Sequence, residues 1–227
     1  MNNFLQPILD IMRVKSFLGG FDKNLCYLIW CNDTKEAAIV DPAVEISLIL
    51  EAIESNNLKL RKIIITHTHH DHIQYLQDFK YYFPLIKIIG HPQPLKEMDA
   101  DYFGVDHHEN ISLGKAMLTT IHTPGHYSDS ICIWNMKSEC LFTGDTMFVG
   151  RTGRTISTNS NIDDLYHSVY TRLLTLPEDT LVYPGHHYGF SKEITLKENK
   201  ALSNFFQCDY LDEFKDVMSS FEKNRRG

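Results

Sequence analysis

Residues 63–74 read IIITHTHHDHIQ, three isoleucines followed by four histidines and an aspartate within six positions. One histidine at a strand end is ordinary, exposed or satisfied in the core. Four of them around a carboxylate need a shared partner, and neutral imidazole with carboxylate suits zinc, iron or manganese. LRKIIITH (60–67) reads as a buried strand ending at His67, and HIQYLQDFKYYF (72–83) as the helix that leaves the cluster, stopped by Pro84. His67-x-His69-x-Asp71-His72 thus falls on a strand-to-helix junction, where side chains converge at the edge of a sheet.

Three further turns carry the same chemistry. HTPGH (122–126) and YPGHHYG (183–189) each place a histidine directly after Pro-Gly at the end of a strand-like run, and FTGDT (142–146) places Asp145 similarly. Four separate strand ends therefore deliver candidate ligands: His67, His69, Asp71, His72, His126, Asp145 and His186. One catalytic metal uses about three protein ligands and an open position. Seven candidates fit two metals sharing a bridging carboxylate and a water. His70, His91, His107, His108 and His167 read as surface or satisfied core residues. His122 and His187 read the same way, with a role as hydrogen-bonding partners of the neighbouring candidate ligands as the alternative.

Around these turns, MRVKSFLG, LCYLIWC and AAIVDP open the chain as strands, and EISLILEAIESNN follows with apolar residues at helical spacing. KIIGHP, AMLTTIHTPG, SICIWNM, CLFTGDTMF and TLVYPGHH read as later strands. NIDDLYHSVYTRLLTLP, TLKENKALSNFFQ and LDEFKDVMSSFEKN read as helices. Two strand-rich halves with interspersed helices predict an α/β protein, a four-layer αββα sandwich. A single domain over 1–227 is expected, with a short C-terminal helical extension at about 193–227.

A net charge of −7 and a pI near 5.9 leave no broad basic surface for nucleic acid. The five cysteines, with no CxxC spacing, point to free thiols in a reducing compartment. MNNFLQPILDIMRV lacks the basic-then-apolar order of a signal peptide, and no apolar run reaches the ~20 residues that span a bilayer. A cytoplasmic protein without a membrane partner, monomeric or homodimeric, is expected. FKYYF and SNFFQCDYL read as core faces of helices.

At THTHHDH, TPGH, GDT and PGHHYG the chain resembles the metallo-β-lactamase superfamily, whose metal motifs occur in this order, over about residues 12–207. The resemblance implies one metal on His67, His69 and His126, another on Asp71, His72 and His186, and Asp145 bridging them. The superfamily's zinc β-lactamases typically carry a cysteine where Asp145 stands. The carboxylate is similar to the glyoxalase II-like branch, with its thioester hydrolases, lactonases and persulfide dioxygenases. GDTMFVGRTGRT resembles the loop of that branch, which makes Arg154 a candidate anion contact, and Tyr188 matches a tyrosine that contacts glutathione in glyoxalase II. Gln74 and Tyr75 stand where many relatives carry Gly-Gly. The tail is shorter than the helical domain of glyoxalase II.

The implied activity is hydrolysis of a small-molecule thioester at two divalent cations, zinc first, with iron or manganese as alternatives. Such cations lower the pKa of a water from about 15.7 to about 7. The resulting hydroxide attacks the carbonyl, and Asp71 orients it as a catalytic residue. The alternative is a mononuclear iron persulfide dioxygenase on His67, His126 and Asp145, acting on a glutathione-type persulfide. A lactonase, a carrier-protein thioesterase and a non-catalytic metal-stabilised scaffold complete the range.

Overall fold

The computed structural model describes residues 12–225. The first eleven residues, which carry most of the leader reading, and the last two, Arg226 and Gly227, lie outside them. The first sheet comprises β1 (Met12–Gly19), β2 (Asn24–Cys31), β3 (Glu36–Val40), β4 (Lys59–Ile64), β5 (Lys87–Gly90) and β6 (Tyr102–Gly104), hydrogen-bonded in that order. β1 to β3 pair antiparallel, and β3 to β6 run parallel. Parallel strands need crossovers. The β3–β4 crossover is α1 (Ile46–Ser55), which buries Ile46, Ile49, Ala52 and Ile53 at helical spacing. The β4–β5 crossover contains α2 (Leu76–Tyr82), ending at Phe83 just before Pro84.

The second sheet contains β7 (Asn110–Leu113), β8 (Ala116–His122), β9 (Ile131–Asn135), β10 (Cys140–Gly144), β13 (Leu181–Pro184) and β14 (Ile194–Thr195), in the order β14-β13-β10-β9-β8-β7. A small ribbon, β11 (Met147–Phe148) with β12 (Arg151–Thr152), leaves the end of β10. α3 (Ile162–His167), α4 (Leu196–Leu202) and α5 (Leu211–Asn224) cover the outer face. Asn161 caps α3 by accepting from the N–H groups of Asp163 and Asp164, and Thr195 with Glu198 forms a capping box on α4.

Three apolar layers make the αββα sandwich. The central one joins the two sheets, with Leu25, Tyr27 and Ile64 from the first meeting Ile133, Phe142 and Tyr183 from the second. A second layer packs α1 and α2 on the first sheet, and a third packs α3, α4 and α5 on the second. The C-terminal helices thus belong to a structural layer: Leu196, Phe206, Phe214 and Met218 sit among Leu141, Val182 and Leu165. Beneath the histidine edge, the Tyr27 hydroxyl donates to the Pro184 carbonyl at 2.7 Å, and its ring meets Phe142 edge-on at 5.3 Å. Deleting such a ring costs about 3–5 kcal/mol.

The main strands fall where the apolar pattern places them, with local differences. β4 ends at Ile64, so His67 stands on the following loop. His70–His72 form a 3₁₀ turn and α2 begins only at Leu76. The α3 helix gives way to wider i→i+5 turns over Ser168–Leu173. The pattern missed β6, β7, β12 and β14, which are two to four residues long and carry too little periodicity to register. All five cysteines are free and buried, as the spacing implied. No helix among the described residues is long and apolar enough to cross a membrane.

Candidate metal centre

Five strand ends and one hairpin meet at a single edge of the sandwich. The turn after β4 brings His67, His69, Asp71 and His72. The loops after β8, β10 and β13 bring His126, Asp145 and His186. Asp41 follows β3, and the β1–β2 hairpin supplies Asp22 and Asn24. The glycines of both Pro-Gly turns are sterically required. Gly125, at φ +138°, lies so close to the α3 backbone at Leu165 that a Cβ would clash, and a Cβ on Gly185 would stand 2.6 Å from Asp145 Oδ1.

Hydrogen bonds to fixed acceptors set the histidine tautomers. His126 Nδ1–H donates to the Arg154 carbonyl at 2.8 Å, and His186 Nδ1–H to the Asp22 carbonyl at 2.8 Å. His72 Nδ1–H donates to Asp41 Oδ2 at 2.7 Å. Thr66 Oγ1 gives its hydrogen to the same Asp41 oxygen at 2.7 Å and is therefore the acceptor for His67 Nδ1–H at 3.2 Å. In the neutral form each of the four rings then turns its Nε2 lone pair inward. A second ring nitrogen held by a carboxylate, as in His72, or by a backbone carbonyl, as in His126 and His186, is the usual support of a metal ligand.

The inward atoms form three overlapping groups, each within 4.8 Å: His67 with His69 and His126, His67 with His72 and Asp145, and Asp71 with His72 and His186. His69 Nδ1 lies 2.9 Å from His67 Nε2 and 3.1 Å from His126 Nε2. One hydrogen cannot satisfy both contacts, so three converging lone pairs suit a cation. Asp145 straddles the groups. Its Oδ2 is 3.4 Å from His126 Nε2, and its Oδ1 is 3.2 Å from His72 Nε2 and 3.4 Å from His186 Nε2. Oδ1 is buried, and among the described residues its only donors are those two imidazole nitrogens, which serve it when they carry a proton. The donor set fits divalent cations.

Electrostatics divide the cluster. Burial, then the neighbouring imidazoles, push His67 well below the ordinary histidine range and His69 down to about 4, and burial also lowers His126. These three rings are neutral at pH 7. On the other side burial again acts downward, but Asp145 and Asp41 outweigh it and raise His72, while Asp145 and Asp71 lift His186 to about 9. Against burial, the same histidines hold Asp145 and Asp71 ionised, well below the usual carboxylate range. Protons on His72 and His186 stand where a cation's charge belongs.

All seven residues with metal-ligand spacing converge. Sequence reasoning missed their supports. Asp41, at φ +52°, accepts from Thr66 and His72, and Asn24 donates to Asp71 Oδ2 at 2.8 Å. The Asp-Pro that ends the β3 run was the only local signal for Asp41. His122 stacks on His91 at 4.3 Å and faces the Ser128 carbonyl, as a satisfied residue and not as a ligand's partner, and Nδ1 of His187 is buried without a hydrogen-bond partner. Arg154, expected to meet an anion, sends Nε and Nη2 to Glu222 of α5 at 2.5 and 2.6 Å. Tyr188 stacks on His186 at 4.7 Å and donates to Asp22 Oδ2 at 2.6 Å.

The cluster forms the floor of a cleft of about 700 Å³, lined by His69, Asp71, Asp145, Phe148, Arg151 and Tyr188 among others. An αββα sandwich with this His/Asp edge defines a metallo-hydrolase. Residues 19–186 match the family model of the metallo-beta-lactamase superfamily, and the chain belongs to that superfamily. It is 28% identical over 212 residues, 90% of each chain, to the "Probable polyketide biosynthesis zinc-dependent hydrolase PksB" of Bacillus subtilis. It is 32% identical over 208 residues, 89% of this chain and 77% of the other, to the "Probable hydroxyacylglutathione hydrolase glo2" of Schizosaccharomyces pombe. The crystal structure of ETHE1 from Myxococcus xanthus superimposes with a TM-score of 0.82 at 28% identity, covering 92% of this chain and 91% of that one. These relatives place the chain in the glyoxalase II-like branch, as an enzyme of the metallo-hydrolase class.

Proposed function

We propose that this chain, as a single domain, hydrolyses a small-molecule thioester with two divalent cations, zinc first. His67, His69 and His126 would hold one and Asp71, His72 and His186 the other, with Asp145 placed between the two sets. The position of Asp145 carries this reading: its two oxygens point to different nitrogen groups, Oδ2 to His126 Nε2 and the buried Oδ1 to the Nε2 atoms of His72 and His186. The two relatives named as hydrolases, one of hydroxyacylglutathione, support it. Bound cations supply Lewis acidity, making water nucleophilic at neutral pH and drawing charge from the carbonyl oxygen.

The chain's own groups do the rest. Asp71 lines the cleft, ionised, with Oδ2 held by Asn24, and it accepts a hydrogen from the attacking water and aims it at the carbonyl carbon. A thiolate is a good leaving group, so no strong general acid is required of the protein. Tyr188 and Phe148, 5.0 Å apart and edge to face, wall the side of the cleft where the thiol arm lies. Arg154, tied to Glu222, acts through its carbonyl, which fixes the ring of His126.

The alternative dioxygenase rests on His67, His126 and Asp145, a two-histidine, one-carboxylate face. Elemental analysis of protein purified without added metal, beside thiol release from S-lactoylglutathione and oxygen uptake with glutathione persulfide, separates the two. Two metals per chain with thiol release is the expected outcome. One iron with oxygen uptake and no thiol release overturns it.

A further inference from the structure

The sequence made Arg154 a candidate anion contact, with a loop charge as the other reading, and that guanidinium is already engaged by Glu222 through two short bonds. Arg151, three residues earlier on β12, is in the opposite state. Its Cζ sits 4.2 Å from the ring centre of Tyr188, 4.8 Å from Phe148 and 5.1 Å from Phe221. The side chain lines the cleft beside the His/Asp floor. Among the described residues no carboxylate forms an ion pair with it, and the hydrogen bond it makes there is a long 3.4 Å contact to the Thr152 carbonyl. Burial draws its pKa downward from the ordinary arginine value.

A part-buried cation without a counter-charge is costly. Stacking engages the faces of a guanidinium and leaves its edge N–H groups available as a planar fork suited to carboxylate or phosphate. The rings also fix the side chain in place, so little entropy is lost when an anion binds. The surroundings divide the cleft by chemistry. Asp71 and Asp145 stand at the cation end. Phe148, Tyr188 and Ile156 give an apolar stretch, and in the same cleft Arg151 and Arg225 supply positive charge that no acidic side chain among the described residues pairs with. In a chain of net charge −7 this is a local reversal of sign, of the kind that steers anions.

We propose that Arg151, with Arg225 lining the same cleft, determines specificity by binding an anionic group, carboxylate or phosphate, on the thiol arm of the substrate. This inference rests on the thioester reading above. The acyl end lies over the His/Asp floor, the thiol arm runs along Tyr188 and Phe148, and its anion meets the guanidinium edge of Arg151.

Three acetyl thioesters test it: S-acetylglutathione with carboxylates, S-acetylphosphopantetheine with a phosphate, and neutral S-acetyl-N-acetylcysteamine. The metal-loaded wild type is expected to favour at least one anionic arm about 10-fold or more in kcat/KM. R151M keeps the stacking bulk and removes the charge. It should reduce that preference by about 10- to 100-fold, the worth of one charge-assisted pair, mainly through KM. R151K should restore part of it. The favoured arm tells carboxylate from phosphate. Calorimetric binding of the corresponding free thiols, wild type against R151M, reads the same preference without turnover. If that binding depends on Arg151 while no thioester is cleaved, the hydrolase reading fails and the anion site stands. A wild type indifferent to arm charge, or an R151M protein with its preference intact, overturns the proposal. Circular dichroism of each variant confirms that the comparison is between folded proteins.

Discussion

Replacing Asp41 by Asn changes no candidate ligand, yet is expected to weaken metal binding about 100-fold. Asp41 is 2% exposed and accepts three bonds of 2.7 Å, from Thr66 N–H, Thr66 Oγ1–H and His72 Nδ1–H. Asparagine has nearly the same shape and tolerates the φ of +52° found there, so the backbone stays in place. Its amide keeps one acceptor for Thr66 N–H and presents donors where Oδ2 stood. Nδ1 of His72 must then accept, which moves that ring's hydrogen onto Nε2, the atom facing Asp145. Thr66 Oγ1 becomes an acceptor from the amide and turns its own hydrogen toward His67, pressing the same change on a second ring. Loss of one such supporting contact costs about 10- to 100-fold in metal affinity. With two rings affected, about 100-fold, or about 2.8 kcal/mol, is the expected loss.

Competition for zinc against a chromophoric chelator measures this directly. In the metal-free form D41N should lower Tm by only a few degrees, because about 1 kcal/mol moves a chain of this size by about 2–4 °C. D41A is the harsher control. It strands buried donors at about 1–3 kcal/mol each and places alanine in a left-handed conformation at about 1–2 kcal/mol. D41N protein that binds zinc within about two-fold of wild type would refute tautomer control by Asp41.

Two other outcomes follow from the geometry. G185A places a methyl 2.6 Å from both Asp145 Oδ1 and His72 Cε1; elemental analysis should find reduced metal per chain, with Tm lowered by about 2–12 °C for a strain of about 1–3 kcal/mol. Full metal loading in G185A would contradict the bridging position of Asp145. On the alkaline side, burial raises Cys132 from 9.0 to about 12 and raises Cys26 and Tyr27 as well. An acid whose folded pKa is raised supports the fold fully below its unfolded pKa and loses that support as pH climbs toward the folded value. Tm should therefore fall steadily from about pH 9 upward, and a flat profile to about pH 11 would count against these groups being buried protonated.

The four metal-type turns were legible because each is local: a strand run, a turn, and one or two ligands whose spacing is written in consecutive letters. The glycines of TPGH and PGHH were legible for the same reason, although what each avoids, Leu165 or Asp145, is not. The αββα layering followed from strands of four or more residues with clear apolar patterns, while two-residue strands such as β12 and β14 left no periodicity to read.

What only the tertiary structure decided concerns pairs distant in the chain. Asp41 supports His72 across 31 positions, Asn24 reaches Asp71 across 47, and Glu222 engages Arg154 across 68. Which arginine of RTGR keeps an unpaired charge depends on that last contact, since α5 supplies the carboxylate to Arg154 and the ring of Phe221 to Arg151. Ligand type and spacing are properties of a short stretch of chain. Tautomer, protonation and counter-charge are set by whatever packs within about 4 Å, and the sequence alone does not state those neighbours.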